Sequence, residues 1–444
     1  MSKNVSLKIR HLSSLALVVF FFLSACAPDK LNDSPTNVSS PQPSSVTQPP
    51  STQPVVAEST AIPMPTCMSS TATGGCVHTT PEGIAGNFDW SHGTCKGSGP
   101  GRLSVSPMNL SDIALIQPMG LMVGGHVTPI DHQYYVPFQS APDTYPVYSP
   151  IDGFIDWVGI EHDKVNPPDK ISLGIEYSCT FYVWYNLLTS LTPELSQQAL
   201  PALGETTSSV RIPVKAGQLI GYIGGRTLDF AIINSEVMLK GFIVPEHYET
   251  ESWKTHIVDP FDYFDEPLRS QLLALDVRAA EPRGGKIDYD IDGRLVGNWF
   301  VEGTGGYAGF LPGQPRPLYY SSTHLAFVPD AIDPSTFTVS IGSLLLERQN
   351  QFGILGNTPD PSQVSVTTGL VVYELVQIVW VDANSSRWDN MHYLPGVHRS
   401  DSQQVEGTVL VQILDDRHLK FEVFLGKRAS QINGFTDAAQ IYER

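Results

Sequence analysis

Three stretches in the first half of the chain alternate apolar and polar positions: "YPVYSPIDGFIDWVGI", "KISLGIEYSCTFYVWYNLL" and "SVRIPVKAGQLIGYIGG". Successive side chains on a strand point to opposite faces, so a period of two predicts strands, and the Asp-Gly and Gly breaks predict turns. Asp152-Gly153 reads as a tight hairpin with a positive-φ glycine; Gly217, Gln218 and Gly221 read as a place where strands approach closely. The pattern returns in "TFTVSIGSLLLE", "GLVVYELVQIVWV", "GTVLVQIL" and "LKFEVFLG". Between the halves, Leu268, Leu272, Leu273 and Leu275 follow Pro267 at helical spacing. The chain is therefore expected to be mostly β: an antiparallel sheet or β-roll domain over 111–267, a helical connector over 268–284, and an antiparallel β-barrel or β-sandwich over 285–444.

Ahead of the strands the pattern differs. Lys3, Lys8 and Arg10 precede the apolar run "LSSLALVVFFFL", Leu12 to Leu23. The run is shorter than the roughly 20 residues a spanning helix needs and has the flanks of a secretory signal over 1–25. "LSAC" follows and resembles the bacterial lipobox, which implies lipidation of Cys26 and a membrane anchor. Ala27 after the cysteine implies the outer membrane or cell surface by that motif's sorting rule. Residues 26–65 are rich in Pro, Ser and Thr and hold no aromatic residue, so they read as a tether of roughly 35–100 Å.

Charge and cysteine usage narrow the function. Without residues 1–25 the chain keeps 45 acidic against 24 basic residues, a balance that argues against nucleic acid as a partner. Cys67, Cys76, Cys95 and Cys179 allow two disulfides in three pairings, and three of the four fall in a loop-rich cap over 66–110. With no CxxC pair, zinc-ribbon chemistry is not expected.

The densest candidate chemistry is "GGHVTPIDHQYY", where His126, Asp131 and His132 lie within seven residues. Around it, "PVYSPIDGFIDWVG", "CTFYVWYNLL" and "VKAGQLIGYIGG" come in the order and spacing of lysostaphin-type (LytM-like) zinc endopeptidases, and the middle domain resembles that family over about 150 residues. The resemblance implies a zinc held by an early H-x-x-x-D pair and a late H-x-H histidine, with two further histidines assisting. Here the early pair is His126 and Asp131, one residue wider than usual, with His132 next. The assisting histidine of the "Y.HL" segment falls on Asn186, and the late pair on Thr227 and Asp229. His126, Asp131 or His132, and Asp229 would form a mixed nitrogen and oxygen set for zinc, but the expected base and oxyanion donor are missing. Tyr134, Tyr135, Tyr182, Trp184 and Tyr185 would line a groove with Asn186 and Thr227. The plainer reading has the histidines bonding to loop carbonyls, Asp229 satisfied in a turn and most of the aromatics in the core.

In the last domain, Asp288, Asp290 and Asp292 precede Gly293 in D-x-D-x-D-G, the first half of a calcium loop, but Trp299 stands where that loop needs Glu. "GNWF" resembles the G-x-W opening of lipocalin-like barrels, which implies Trp299 on the barrel floor against a late basic residue, Arg428 or Arg444. Ser321, Ser322 and His324 cluster without an acid partner. Three functions follow: a lipoprotein whose inactive peptidase-type domain binds peptidoglycan or a wall hydrolase, an active zinc hydrolase with altered ligands, or a small-ligand or lipid carrier.

Overall fold

The computed structural model describes residues 95–444 apart from 164–166, 201–205, 316 and 348, together with the short strand pair His78–Thr79 and Ala85–Gly86. The signal, the tether, Cys26, Cys67 and Cys76 lie outside the described residues. Cys95 is disulfide-bonded to Cys179, which ties the start of the described body to the turn after the strand Lys170–Ser178.

The alternating runs form an antiparallel sheet. Its order is Thr207–Val214, Gly153–Glu161, Lys170–Ser178, Phe181–Leu188, Leu228–Asn234, Gln133–Pro137 and Ile113–Gln117, with Ile257–Val258 pairing beside Leu228–Asn234. Tyr145–Tyr148, Leu219–Ile223 and Ser190–Leu191 make a smaller sheet. The two glycine-bearing motifs meet there, Val147 opposite Gly221 and Pro146 opposite Tyr222. A Cβ on Gly221 would lie 2.4 Å from the Ser190 carbonyl oxygen, so the close approach expected there is real. Gly153 does not take the expected positive φ. It is needed for space, since a Cβ would sit 2.5 Å from the Glu176 carbonyl oxygen, and Asp152 instead accepts hydrogen bonds from Lys215 Nζ and the Ala216 amide.

The strand Leu228–Asn234 is buried at every position. Leu228, Phe230 and Ile232 face one core with Tyr135, Tyr185 and Phe264; Ala231 and Ile233 face a second with Phe242, Tyr248, Phe300 and Tyr307. Strands covered on both faces lose the polar-out half of the pattern. The second face is covered by the 3-10 segment Pro245–His256 and by the last domain, so one compact unit holds both. The connecting helix is only Leu268–Leu273. Beyond it Arg278, 2% exposed, donates to the carbonyls of Ala280, Pro282 and Ala331 and fastens the linker to the last domain.

That domain is a closed eight-stranded antiparallel barrel. Its strands are Gly297–Val301, His324–Pro329, Phe337–Ile341, Gln351–Ile354, Val371–Val376, Val405–Ile413, His418–Leu425 and Gln440–Glu443. The last pairs with the first, Val301 opposite Tyr442. Trp299, Phe327, Phe352, Tyr373, Phe421 and Tyr442 fill the interior, as an eight-stranded barrel permits. Trp299 is fully buried with the Arg444 guanidinium 4.1 Å from its ring centre, so Arg444 rather than Arg428 is the late basic residue. Arg444 also donates to the carbonyls of Ile291, Arg294 and Val296, closing that end of the barrel.

Candidate functional site

The candidate residues gather on the sheet face turned toward the barrel. Cross-strand pairing places Asp229 between Asn186 and Tyr134. Alternation sends Tyr135, Tyr182 and Tyr185 into buried cores, fully covered, so none lines the groove expected of them. Tyr134 and Trp184 do reach the site, with ring centres 5.0 and 5.5 Å from that of His132. Thr227 is half-buried just ahead of the strand.

His132, 5% exposed, immediately precedes the strand Gln133–Pro137. Its Nδ1 lies 2.9 Å from Asp131 Oδ1, and its Nε2 lies 3.4 Å from Asp229 Oδ2 without the alignment of a hydrogen bond. Asn186 Nδ2 donates to Asp229 Oδ2 at 3.1 Å, so the amide that would have steadied an oxyanion is committed to a carboxylate. Burial raises the Asp229 pKa to about 6, although His132 and Asn186 work against the rise. His126 is exposed, with its ring centre 6.1 Å from that of His132. Loss of hydration, then the nearby charges of His132 and Lys254, lowers its pKa. Its loop is clamped by the last domain, through Ser321 Oγ to the Gly125 carbonyl and Asn350 Nδ2 to the Gly124 carbonyl.

A lysine that carries no motif dominates this geometry. Lys254, 7% exposed, comes from the 3-10 segment, and its Nζ lies 2.7 Å from Asp131 Oδ2 and 3.2 Å from Glu251 Oε2. The same ammonium sits 4.8 Å from the centre of the Tyr307 ring, and Trp253 Nε1 donates to Asp131 Oδ2 at 3.2 Å. Burial works to raise the Asp131 pKa, but the Lys254 charge and the hydrogen bonds from His132 and Lys254 hold it well below the carboxylate range. For Lys254, burial works downward and is outweighed, with Asp131 foremost, so its pKa stands well above the ordinary lysine value. Burial raises the pKa of Glu251.

Asp131 does not fit zinc. Both its oxygens are taken, Oδ1 by His132 Nδ1 and Oδ2 by Lys254 and Trp253, and a buried ammonium occupies the space beside the carboxylate. His132 Nε2 and Asp229 Oδ1 are left without a hydrogen-bond partner. Placing a divalent cation a few ångströms from that ammonium at low dielectric is strongly unfavourable. Among the described residues no group of three His, Cys, Asp or Glu side chains is arranged to hold a metal ion. The arrangement is an ion-pair network centred on Asp131 and Lys254, and what it does chemically is neutralise buried acids.

The calcium-loop aspartates do not converge either. Asp288 accepts from the Gly241 amide and Lys286, Asp290 from the amides of Ile243 and Asn298, and Asp292 from Arg417. Asp288 and Asp290 fasten the chain to the 241–243 segment and Asp292 fastens it to Arg417, which accounts for the D-x-D-x-D carboxylates without a shared ion. Ser321 and His324 are likewise structural: His324 Nε2 bonds to the Tyr307 carbonyl, and burial lowers its pKa to about 3.

No protein-family model matches the chain, and no curated protein matches it. Among solved structures, 37% of the chain aligns with 35% of Helicobacter pylori Csd3 at 16% identity, with a TM-score of 0.21. The chain thus spans about a third of the length of the Csd3 chains it matches. The antimicrobial peptidase lysostaphin from Staphylococcus simulans aligns over 90% of its chain and 77% of this one, at 12% identity and a TM-score of 0.21. Both likenesses are weak.

Proposed function

We propose that the chain is an envelope lipoprotein, anchored through Cys26, whose first β-domain has a peptidase-type scaffold that holds cell-wall peptidoglycan or a wall hydrolase and does not cut. The motif order around Val147, Asn186 and Gly221 supports the scaffold, and the pairing of Val147 with Gly221 is in keeping with it. The observation that carries the non-cutting reading is the Lys254 ammonium, 2.7 Å from Asp131, in place of a metal cation. Hydrolysis at such a site needs a Lewis acid and a base beside an accessible water. His132 and Asp229 are 5% and 3% exposed, and Asn186 is committed to Asp229, which supports a site that holds rather than hydrolyses. The filled barrel favours a supporting part for the last domain over a carrier's.

The test is sedimentation of the full-length chain with isolated peptidoglycan sacculi, with and without added zinc, followed by analysis of the supernatant. Co-sedimentation, or retention of a wall hydrolase on the immobilised chain, with no muropeptide released under either condition is the expected result. Zinc-dependent release of wall fragments, abolished in His126→Ala, would replace this reading with an active hydrolase.

A further inference from the structure

A second concavity lies away from the ion-pair network. It is a groove of about 550 Å³ between the segment leaving the strand Ile113–Gln117 and the barrel, walled on the far side by the hairpin Trp380–Val381 with His398–Arg399 and its intervening loop. The volume falls within the roughly 300–1,000 Å³ of ligand sites.

The lining chemistry is unusual for an interdomain seam. It includes the carboxamides of Gln117, Gln349, Gln351, Gln377 and Asn390 and one carboxylate, Glu406, and it holds no Lys, Arg or His. Gln117, Gln377 and Asn390 make no side-chain hydrogen bond among the described residues, while Gln351 donates to the Gly124 carbonyl. A carboxamide offers two donors and an acceptor with no charge. Trp380, half-buried, supplies flat apolar surface in the same groove beside Ile378, with the buried Trp388, Leu121 and Ile332 behind it. Open amides and one carboxylate beside the Trp380 indole, without a cation to hold an acid, match a neutral ligand rich in hydroxyl and amide groups.

The walls are pre-formed. Arg399, 7% exposed, pairs with Asp330 at 3.1 Å and Asp401, and its amide donates to Asp333, which pins the hairpin to the barrel. Trp388 Nε1 donates to the His392 carbonyl at 2.7 Å, and its ring packs with Leu121, Ile130 and Tyr134 of the first domain. Ligand binding would therefore leave the walls in place and order mainly the free carboxamides, which limits its entropic cost.

We infer that this groove is a saccharide-binding site that takes a neutral oligosaccharide of N-acetylated hexosamine units. The acetamido group supplies the N–H and C=O that carboxamides pair with, its methyl suits the apolar patch, and the sugar C–H faces stack on indole. The inference stands on the groove alone and gives the wall-holding reading a glycan contact.

The experiment is a tryptophan-fluorescence titration of the full-length chain with tetra-N-acetylated chitotetraose (chitotetraose below), cellotetraose and N-acetyl-tetraalanine amide. Saturable quenching by chitotetraose, weaker by about tenfold or more in the Gln377→Ala, Asn390→Ala double variant, is expected. Both residues are exposed, but Asn390 stands at φ 62°, where Ala is strained, so circular dichroism of the double variant and the single Gln377→Ala variant serve as the check on the fold. No saturable response, an unchanged response in the double variant, equal binding of cellotetraose, or preference for the peptide would each overturn the inference. Sedimentation with sacculi separates the two readings: if wall binding persists while chitotetraose fails, only the groove assignment falls.

Discussion

Replacing Lys254 by Met keeps most of the side-chain volume and removes one buried charge. The wild-type ammonium is 2.7 Å from Asp131 and 3.2 Å from Glu251, and it is 7% exposed. Breaking a buried pair from one side costs about 3–5 kcal/mol, because the remaining charge is left uncompensated. Asp131 keeps His132 Nδ1 and Trp253 Nε1 as partners, so the low end, about 3 kcal/mol, is expected. The assay is urea unfolding at neutral pH followed by tryptophan fluorescence, run as a double-mutant cycle with Asp131→Asn. Residues in direct contact couple by about 0.5–3 kcal/mol, and the double variant should recover at least about 1.5 kcal/mol of the summed single losses. The sign with acid is fixed as well. A carboxylate whose folded pKa is depressed contributes stability above its unfolded pKa of about 4, and that stability is lost as pH falls. The acid-side loss should shrink in Lys254→Met. A loss below about 1 kcal/mol with additive singles would refute the claim that this pair organises the site.

Other consequences follow from the same structure. Reducing Cys95–Cys179, which closes a loop of 84 residues, should lower stability by about 4 kcal/mol, read from urea midpoints with and without reductant. Burial raises the Asp276 pKa to about 8, and a raised acid stabilises the fold only while protonated. Stability should therefore fall by about 1 kcal/mol between pH 7 and 9, and the fall should vanish in Asp276→Asn; an unchanged slope would remove Asp276 as its source. Arg444→Met strips three carbonyls of a donor and leaves Asp290 without its cation, 3.7 Å away. A loss of about 3 kcal/mol in calorimetry is expected, with near-ultraviolet dichroism of Trp299 reporting the barrel end.

Much of the fold was legible because burial writes a period of two into the sequence. The runs containing Val147, Val183 and Gly221 became strands, and Trp299 found its basic partner in Arg444 at the end of the chain. The alternation did not say which face would be the site, because Leu228–Asn234 is covered on both sides. Tyr134 and Tyr135 were therefore equivalent in sequence and opposite in space. The site itself was half legible. His132, Asp229 and Asn186 come together, but the residue that sets their chemistry lies 123 positions from Asp131 in a segment without a motif. A lysine between Trp253 and Thr255 has no spacing to betray it. Asp288, Asp290 and Asp292 misled for the converse reason, since regular spacing fixes a pattern along the chain and not where each carboxylate turns.

The central claim is that an ammonium fills the cation position of this site. Zinc content of the full-length chain, measured by inductively coupled plasma mass spectrometry after dialysis against zinc at neutral pH, tests it most directly. The account predicts background zinc in the wild-type protein. One zinc per chain, lost in both Asp131→Ala and His132→Ala, would contradict it.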